Sequence, residues 1–175
     1  MTTPTSISTY TGGPTFSVKV SDIFPGEIEF AACVPENMWL GLAFGEGMKG
    51  GIDMVVFQGK DNGIVTDLWS MIEDTPQTDS NQNFHDTQVS LDAGMYNFVT
   101  FRPLDTGDDK DTAFTCGTTT KFEWSSLSTS AEFAQHDHEH GWYFTLSEDC
   151  MTVTAAAWGL ASFGIATVLA ASALF

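Results

Sequence analysis

A chain of 175 residues is long enough for one domain with a substantial core plus an appendage. Its charge is one-sided, 23 acids against 6 bases and net −17, so no basic face exists to release counterions from nucleic-acid phosphates or to dock on anionic lipid. With 42% hydrophobic residues, 14 Phe and 5 Trp, it is too apolar for a disordered acidic chain, and the acids are expected to coat a folded surface.

Residues 1–13, "MTTPTSISTYTGG", form a polar segment with neither the basic start nor the apolar core of a secretory signal. Beyond it, Phe16, Val18 and Val20 alternate with polar residues, as do Ile28 and Phe30, the period-two pattern of half-buried strands. "MWLGLAFG" (38–45) is nearly continuous apolar, as in a strand covered on both faces. The segments 53–60 and 64–71 flank Asp61-Asn62-Gly63 and predict a hairpin. Residues 72–86 are polar and irregular, a long surface loop; "TQVSLD", "MYNFVTF", "TTKFEW" and "GWYFTL" supply further strands. No window before residue 150 has a helical apolar period. Eight or nine short strands with frequent turn signals predict an all-β, antiparallel sandwich over residues 14–148.

The C-terminal segment 151–175, "MTVTAAAWGLASFGIATVLAASALF", contains no charged residue and no polar face. It is expected to form a hydrophobic helix that anchors the chain in a membrane, or the signal for a glycolipid anchor. The domain is then extracellular or lumenal, although no N-terminal signal peptide is visible. Cys33, Cys116 and Cys150 include no Cys-x-x-Cys pair, which argues against a zinc ribbon or a thioredoxin-type site. In an extracytoplasmic domain they predict one disulfide and one free thiol, with Cys33–Cys116 the expected pair.

Three segments carry candidate chemistry. In "FGEGMKGGID" (44–53) a methionine stands among glycines, either a partly buried cap on a strand end or a soft metal ligand. In "QHDHEHGW", His136, His138 and His140 alternate; an extended chain would point all three to one side, where they could hold Zn²⁺ or Cu²⁺, or simply form a solvated loop. His85 in the polar loop reads as an exposed histidine. The aspartates of "FRPLDTGDDKD" (101–111) lack the spacing of a helix-loop-helix calcium site, and a turn with Asx-type hydrogen bonds around Gly107 is the simpler account, with Arg102 placed for a local ion pair. No nucleophile elbow or phosphate loop occurs.

In order, "MWLGLAFG", "GMKGGIDMVVF", "FRPLDTGDDKD", "KFEWSS" and "FAQHDHEHGWYFTL" make the chain resemble the DOMON domain family across most of residues 14–148. That family includes the cytochrome domain of cellobiose dehydrogenase and the ectodomains of transmembrane b-type cytochromes. The resemblance implies an immunoglobulin-like sandwich, in many members holding one non-covalent haem b. It implies Met48 as one axial ligand of the iron and His136 as the other, with His138 the alternative; Met54, inside a strand, is explained by core packing. Trp39, Phe44 and Trp142 are candidates to line the pocket, although core packing accounts for each equally well. A thioether and an imidazole leave the iron no open position, which implies one-electron transfer and not oxygen chemistry. The implied partner is a redox protein, such as a transmembrane b-type cytochrome or an oxidoreductase. A haem-free ligand-binding module, for sugar or another small molecule, or an adhesion module is the alternative that the family offers.

Overall fold

The computed structural model describes residues 5–48, 50–72 and 74–157. Twelve strands are described: β1 (Thr5–Ser8), β2 (Thr15–Val20), β3 (Glu27–Pro35), β4 (Trp39–Ala43), β5 (Ile52–Gln58), β6 (Ile64–Ser70), β7 (Gln77–Thr78), β8 (His85–Asp92), β9 (Met95–Pro103), β10 (Thr119–Leu127), β11 (His138–Leu146) and β12 (Val153–Ala157). They pair antiparallel into a five-stranded sheet of order β1-β2-β3-β9-β8 and a seven-stranded sheet of order β12-β11-β10-β4-β5-β6-β7. The alternation read in the sequence becomes alternation of burial: β2 and β3 place Phe16, Val18, Ile28, Phe30 and Val34 inward against Leu40, Leu42, Val55, Phe57, Phe122 and Phe144. Packing these inner faces is the main source of stability, at about 25 cal/mol per Å² of apolar surface removed from water. The 61–63 turn forms as expected, with Asp61 and Asn62 both at positive φ, 49° and 71°.

Several expectations need correction. The polar N-terminal segment contributes β1, which pairs with β2 and buries Ile7, so the sandwich begins before residue 14. At the other end Val153–Ala157 are not helix but strand β12, in register with β11 from Trp142 to Leu146. Alanines with β-branched neighbours serve an edge strand well enough once a partner supplies hydrogen bonds. The rest of the expected anchor, 158–175, lies outside the described residues; among those described, no helix is long and apolar enough to cross a membrane. The long 72–86 loop contains the two-residue β7 and the start of β8. His85 is not simply exposed: its ring lies between Glu27 (2.9 Å) and Asp86 (2.8 Å) and edge-on to Phe24.

The expected Cys33–Cys116 disulfide does not form; Cys116 is bonded to Cys150, with Cα atoms 5.1 Å apart, and Cys33 is free. The period-two rule explains this. Cys33 sits on the solvent side of β3 between the buried Ala32 and Val34, in the five-stranded sheet. Cys116 and Cys150 instead lie in the loops before β10 and before β12, at one end of the other sheet.

One end of the space between the sheets is ionic. Arg102 of β9 is fully buried, its Nη1 2.8 Å from Asp53 Oδ2 and its Nη2 3.4 Å from Asp111 Oδ2, with a hydrogen bond from Nη2 to the Thr112 carbonyl. The guanidinium faces the rings of Phe44, Phe84 and Phe114 at 5.2–5.5 Å. Arg102 thus does form the local ion pair expected with the aspartate run, and a second pair to a distant strand. The Asx turn is present too, Gly107 N–H donating to Asp105 Oδ1 at 2.9 Å.

Candidate functional site

On β4 and β5 both faces are buried, and the outward face has its own apolar cluster of Trp39, Met54, Val56 and Leu68. A strand can be apolar on both sides only if something covers the sheet. Here the cover is two connections: the 44–51 loop between β4 and β5, bringing Met48, and the 128–137 loop between β10 and β11, bringing Phe133. Between cover and sheet lies a cavity of about 600 Å³ whose lining includes Trp39, Gly41, Met48, Met54, Phe133 and His136.

The two loops are held differently. In the first, Gly47, Gly50 and Gly51 adopt positive φ of 70°, 87° and 83°, a region that disfavours side chains. Gly47 N–H donates to Glu123 Oε2 on β10 at 3.0 Å, and Gly50 and Gly51 N–H donate to the Met71 and Ser70 carbonyls. Met48 is thus carried on a turn tied to β10 on one side and to the end of β6 on the other. In the second loop, Asp137 accepts from Ser128 N–H, donates its own N–H to the Ser126 carbonyl, and so closes the segment that carries Phe133 and His136. Phe133 packs on Trp39 with ring centroids 4.9 Å apart.

Met48 and His136, distant in sequence, line the same cavity, and both are half-buried. His136 Nε2 lies 3.4 Å from Glu139 Oε2. His138 belongs to β11 and stacks on Tyr10, ring centroids 4.0 Å apart, and is not among the lining residues. His140 is exposed on the same strand. The alternating histidines therefore do not share one side, because His136 precedes the strand. Among the described residues, the grouping close enough to hold a metal ion is Asp53, Asp67 and Asp111, not the histidines.

Of the expected pocket residues, Trp39 lines the cavity; Phe44 and Trp142 pack with the core between the sheets. Met54 is buried as expected, but on the cavity side of β5, where it joins the lining. Phe133, Glu123 and Gly41 were not anticipated. Phe133 had a signal, an isolated aromatic three residues before His136 in a polar loop. Glu123 and Gly41 had none, since their importance depends on strand pairing.

Two observations test whether the cavity suits a flat, aromatic, metal-bearing group. Trp39, one of the lining residues, has its Nε1 buried without a hydrogen-bond partner, a donor left unsatisfied by the protein's own groups. Gly41 forms part of the lining, and a Cβ there would meet Trp39 Cζ3 at 3.2 Å and Ser125 Oγ at 3.3 Å, so the close approach depends on the missing side chain. A soft thioether and an imidazole complete a donor set that suits iron.

The DOMON domain family matches residues 16–126, more than half of the chain. The chain belongs to the DOMON domain family. The matched part of this DOMON protein contains Met48, Glu123 and the buried Arg102, while the His136–His140 segment lies beyond it. Similar solved structures include the cytochrome domain of cellobiose dehydrogenase from Myriococcum thermophilum, at 14% identity and TM-score 0.58, covering 80% of this chain and 78% of that one. The cytochrome b domain of pyranose dehydrogenase from Coprinopsis cinerea is similar at 15% identity and TM-score 0.57, with 79% of each chain covered. At such identities the likeness establishes the fold of this DOMON protein. No curated protein sequence matches it.

Proposed function

We propose that this DOMON protein binds one haem b without covalent links in the cavity on the outer face of its seven-stranded sheet, and acts as a one-electron carrier. The observation that carries the reading is the convergence of Met48 and His136 on one largely apolar cavity. Its volume falls within the roughly 300–1,000 Å³ of cofactor sites. The likeness to two domains named as cytochromes supports it at the level of fold.

The chain's own residues have separate tasks. Met48 Sδ and the His136 imidazole would hold the iron, and the group so held would supply a reversible one-electron couple. Trp39, Val56 and Phe133 keep water out, and Glu123 fixes the turn that carries Met48. Support for His136 over His138 comes from the Tyr10 stack, which turns the latter away from the lining. The charge-free residues 158–175 support attachment to a membrane, and the likeness to cytochrome domains of two dehydrogenases supports a redox protein as partner.

Haem titration of the purified chain, followed by absorption, tests the reading. The expected product has a reducible Soret band and the split visible bands of low-spin, six-coordinate haem. Met48→Leu and His136→Ala should each lose the low-spin spectrum while His138→Ala and Met54→Leu keep it. A chain that stays colourless sinks the proposal and leaves a haem-free ligand-binding module.

A further inference from the structure

The ionic end of the core contains more negative charge than it neutralises. Asp53, Asp67 and Asp111 each offer a carboxylate oxygen, and these oxygens lie within 4.8 Å of one another. Among the described residues only Arg102 stands among them as a cation, so three ionised carboxylates against one guanidinium would leave two negative charges, on side chains that are 0–3% exposed. Lys110 is nearby but engages Asp79 and the Trp69 ring. Buried charge on this scale requires a counter-charge.

The hydrogen bonds show where that charge belongs. Asp53 Oδ2 accepts from Thr112 N–H at 2.7 Å and faces Arg102; Asp67 Oδ2 accepts from Asn83 N–H at 3.1 Å; Asp111 Oδ2 accepts from the Asn83 side-chain amide. The other oxygen of Asp53 and of Asp67 is fully buried with no hydrogen-bond partner. A carboxylate oxygen in that position is costly to bury unless a cation or a proton meets it. Desolvation correspondingly pushes the carboxyl of Asp53 up to about 6, against the pull of Arg102, and that of Asp67 up to about 7.

We propose that Asp53, Asp67 and Asp111 bind one hard divalent cation of the size of Ca²⁺, which ties together β5, β6 and the 104–114 loop. All-oxygen donors select a hard cation. Oxygens that all lie within 4.8 Å of one another can share one ion, and Ca²⁺, which tolerates flexible geometry with ligands at about 2.3–2.6 Å, suits an irregular set of strand and loop carboxylates better than Mg²⁺, which demands a near-ideal octahedron at about 2.0–2.1 Å. The site is independent of the haem cavity. Local spacing in the aspartate run conceals it, because two of its three ligands come from the strands β5 and β6.

The test uses the full chain freed of metal with EDTA and titrated with CaCl₂, by calorimetry and by thermal unfolding, with MgCl₂ in parallel. One Ca²⁺ should bind per chain and raise Tm by about 5–10 °C at saturation, with a smaller effect of Mg²⁺. Asp67→Asn and Asp111→Asn should each lose the Ca²⁺ response, while the exposed Asp86→Asn keeps it. Without Ca²⁺, Asp67→Asn should be at least as stable as the wild type, because it removes an uncompensated charge; a purely structural carboxylate would give the opposite. If Asp67→Asn does not fold, Asp111→Asn decides. No uptake by the wild type up to about 10 mM, the weak end of protein Ca²⁺ sites, overturns the proposal, as does a Ca²⁺ response that survives in both variants.

Discussion

Arg102 links the two sheets through charge. It joins β9 of one sheet to Asp53 of β5 in the other, inside a cage of three phenylalanine rings and with no exposure to water. An apolar replacement of similar length would retain most of the packing, because the aromatic cage accepts a methionine as readily as an alkyl stem. It would also leave Asp53 and Asp111 without their guanidinium. Arg102→Met should therefore lose about 3–5 kcal/mol in urea unfolding performed in EDTA, the usual cost of removing one partner from a buried pair. A loss below about 1 kcal/mol would show that the guanidinium does little to neutralise the aspartates. Met48 offers the contrast: Met-to-Leu exchanges usually cost less than about 1.5 kcal/mol, so Met48→Leu should change the haem spectrum and leave the fold intact.

At the scale of elements, the disulfide ties the start of β10 to the start of β12, across a sequence separation of 34 residues. Closing a loop of that length stabilises by about 3–4 kcal/mol in the chain-entropy account. Replacing Cys116 and Cys150 together with serine should lower the unfolding free energy by about that amount and loosen β12 first, measured as faster amide exchange at Val153–Ala157. Alkylation of Cys33, on the outer face of β3, should leave both readings unchanged; protection of β12 that survives the double substitution would count against the tie. The same elements show what was legible in the sequence. Strands such as β2, β3 and β9 announced themselves through alternation, since one face meets the core and the other meets water. β4 was legible as doubly buried, and the glycine turn after it as the carrier of Met48. β1 and β12 were not, because an edge strand of Thr, Ser and Ala is specified by its neighbour and not by its own pattern. Pairing of cysteines, of Met48 with His136, and of Asp53 with Asp67 and Asp111 depends on which strands lie side by side, and alternation contains no record of that.

For the whole molecule, the charge distribution would decide how the proposed redox partner arrives. The chain bears net −17, and acids reach the cavity itself: Asp74, Glu123 and Glu139 belong to its lining, with Asp74 and Glu139 exposed. A field of one sign around the mouth of a redox site attracts cations to the point where electrons would leave. That attraction is screened over a Debye length of about 30 Å at 0.01 M salt and about 8 Å at 0.15 M. With haem loaded and reduced, electron transfer to a basic haem protein should slow at least about tenfold between those two salt concentrations. Transfer to an uncharged quinone should hardly change, which separates steering from any effect of salt on the site. Glu139→Gln and Asp74→Asn together should flatten the salt dependence if the acids at the mouth dominate, and leave it if the net charge does. Stopped-flow absorption at the Soret band measures all three, and a rate to the basic acceptor that ignores salt would mean that the acidic surface serves solubility and not encounter.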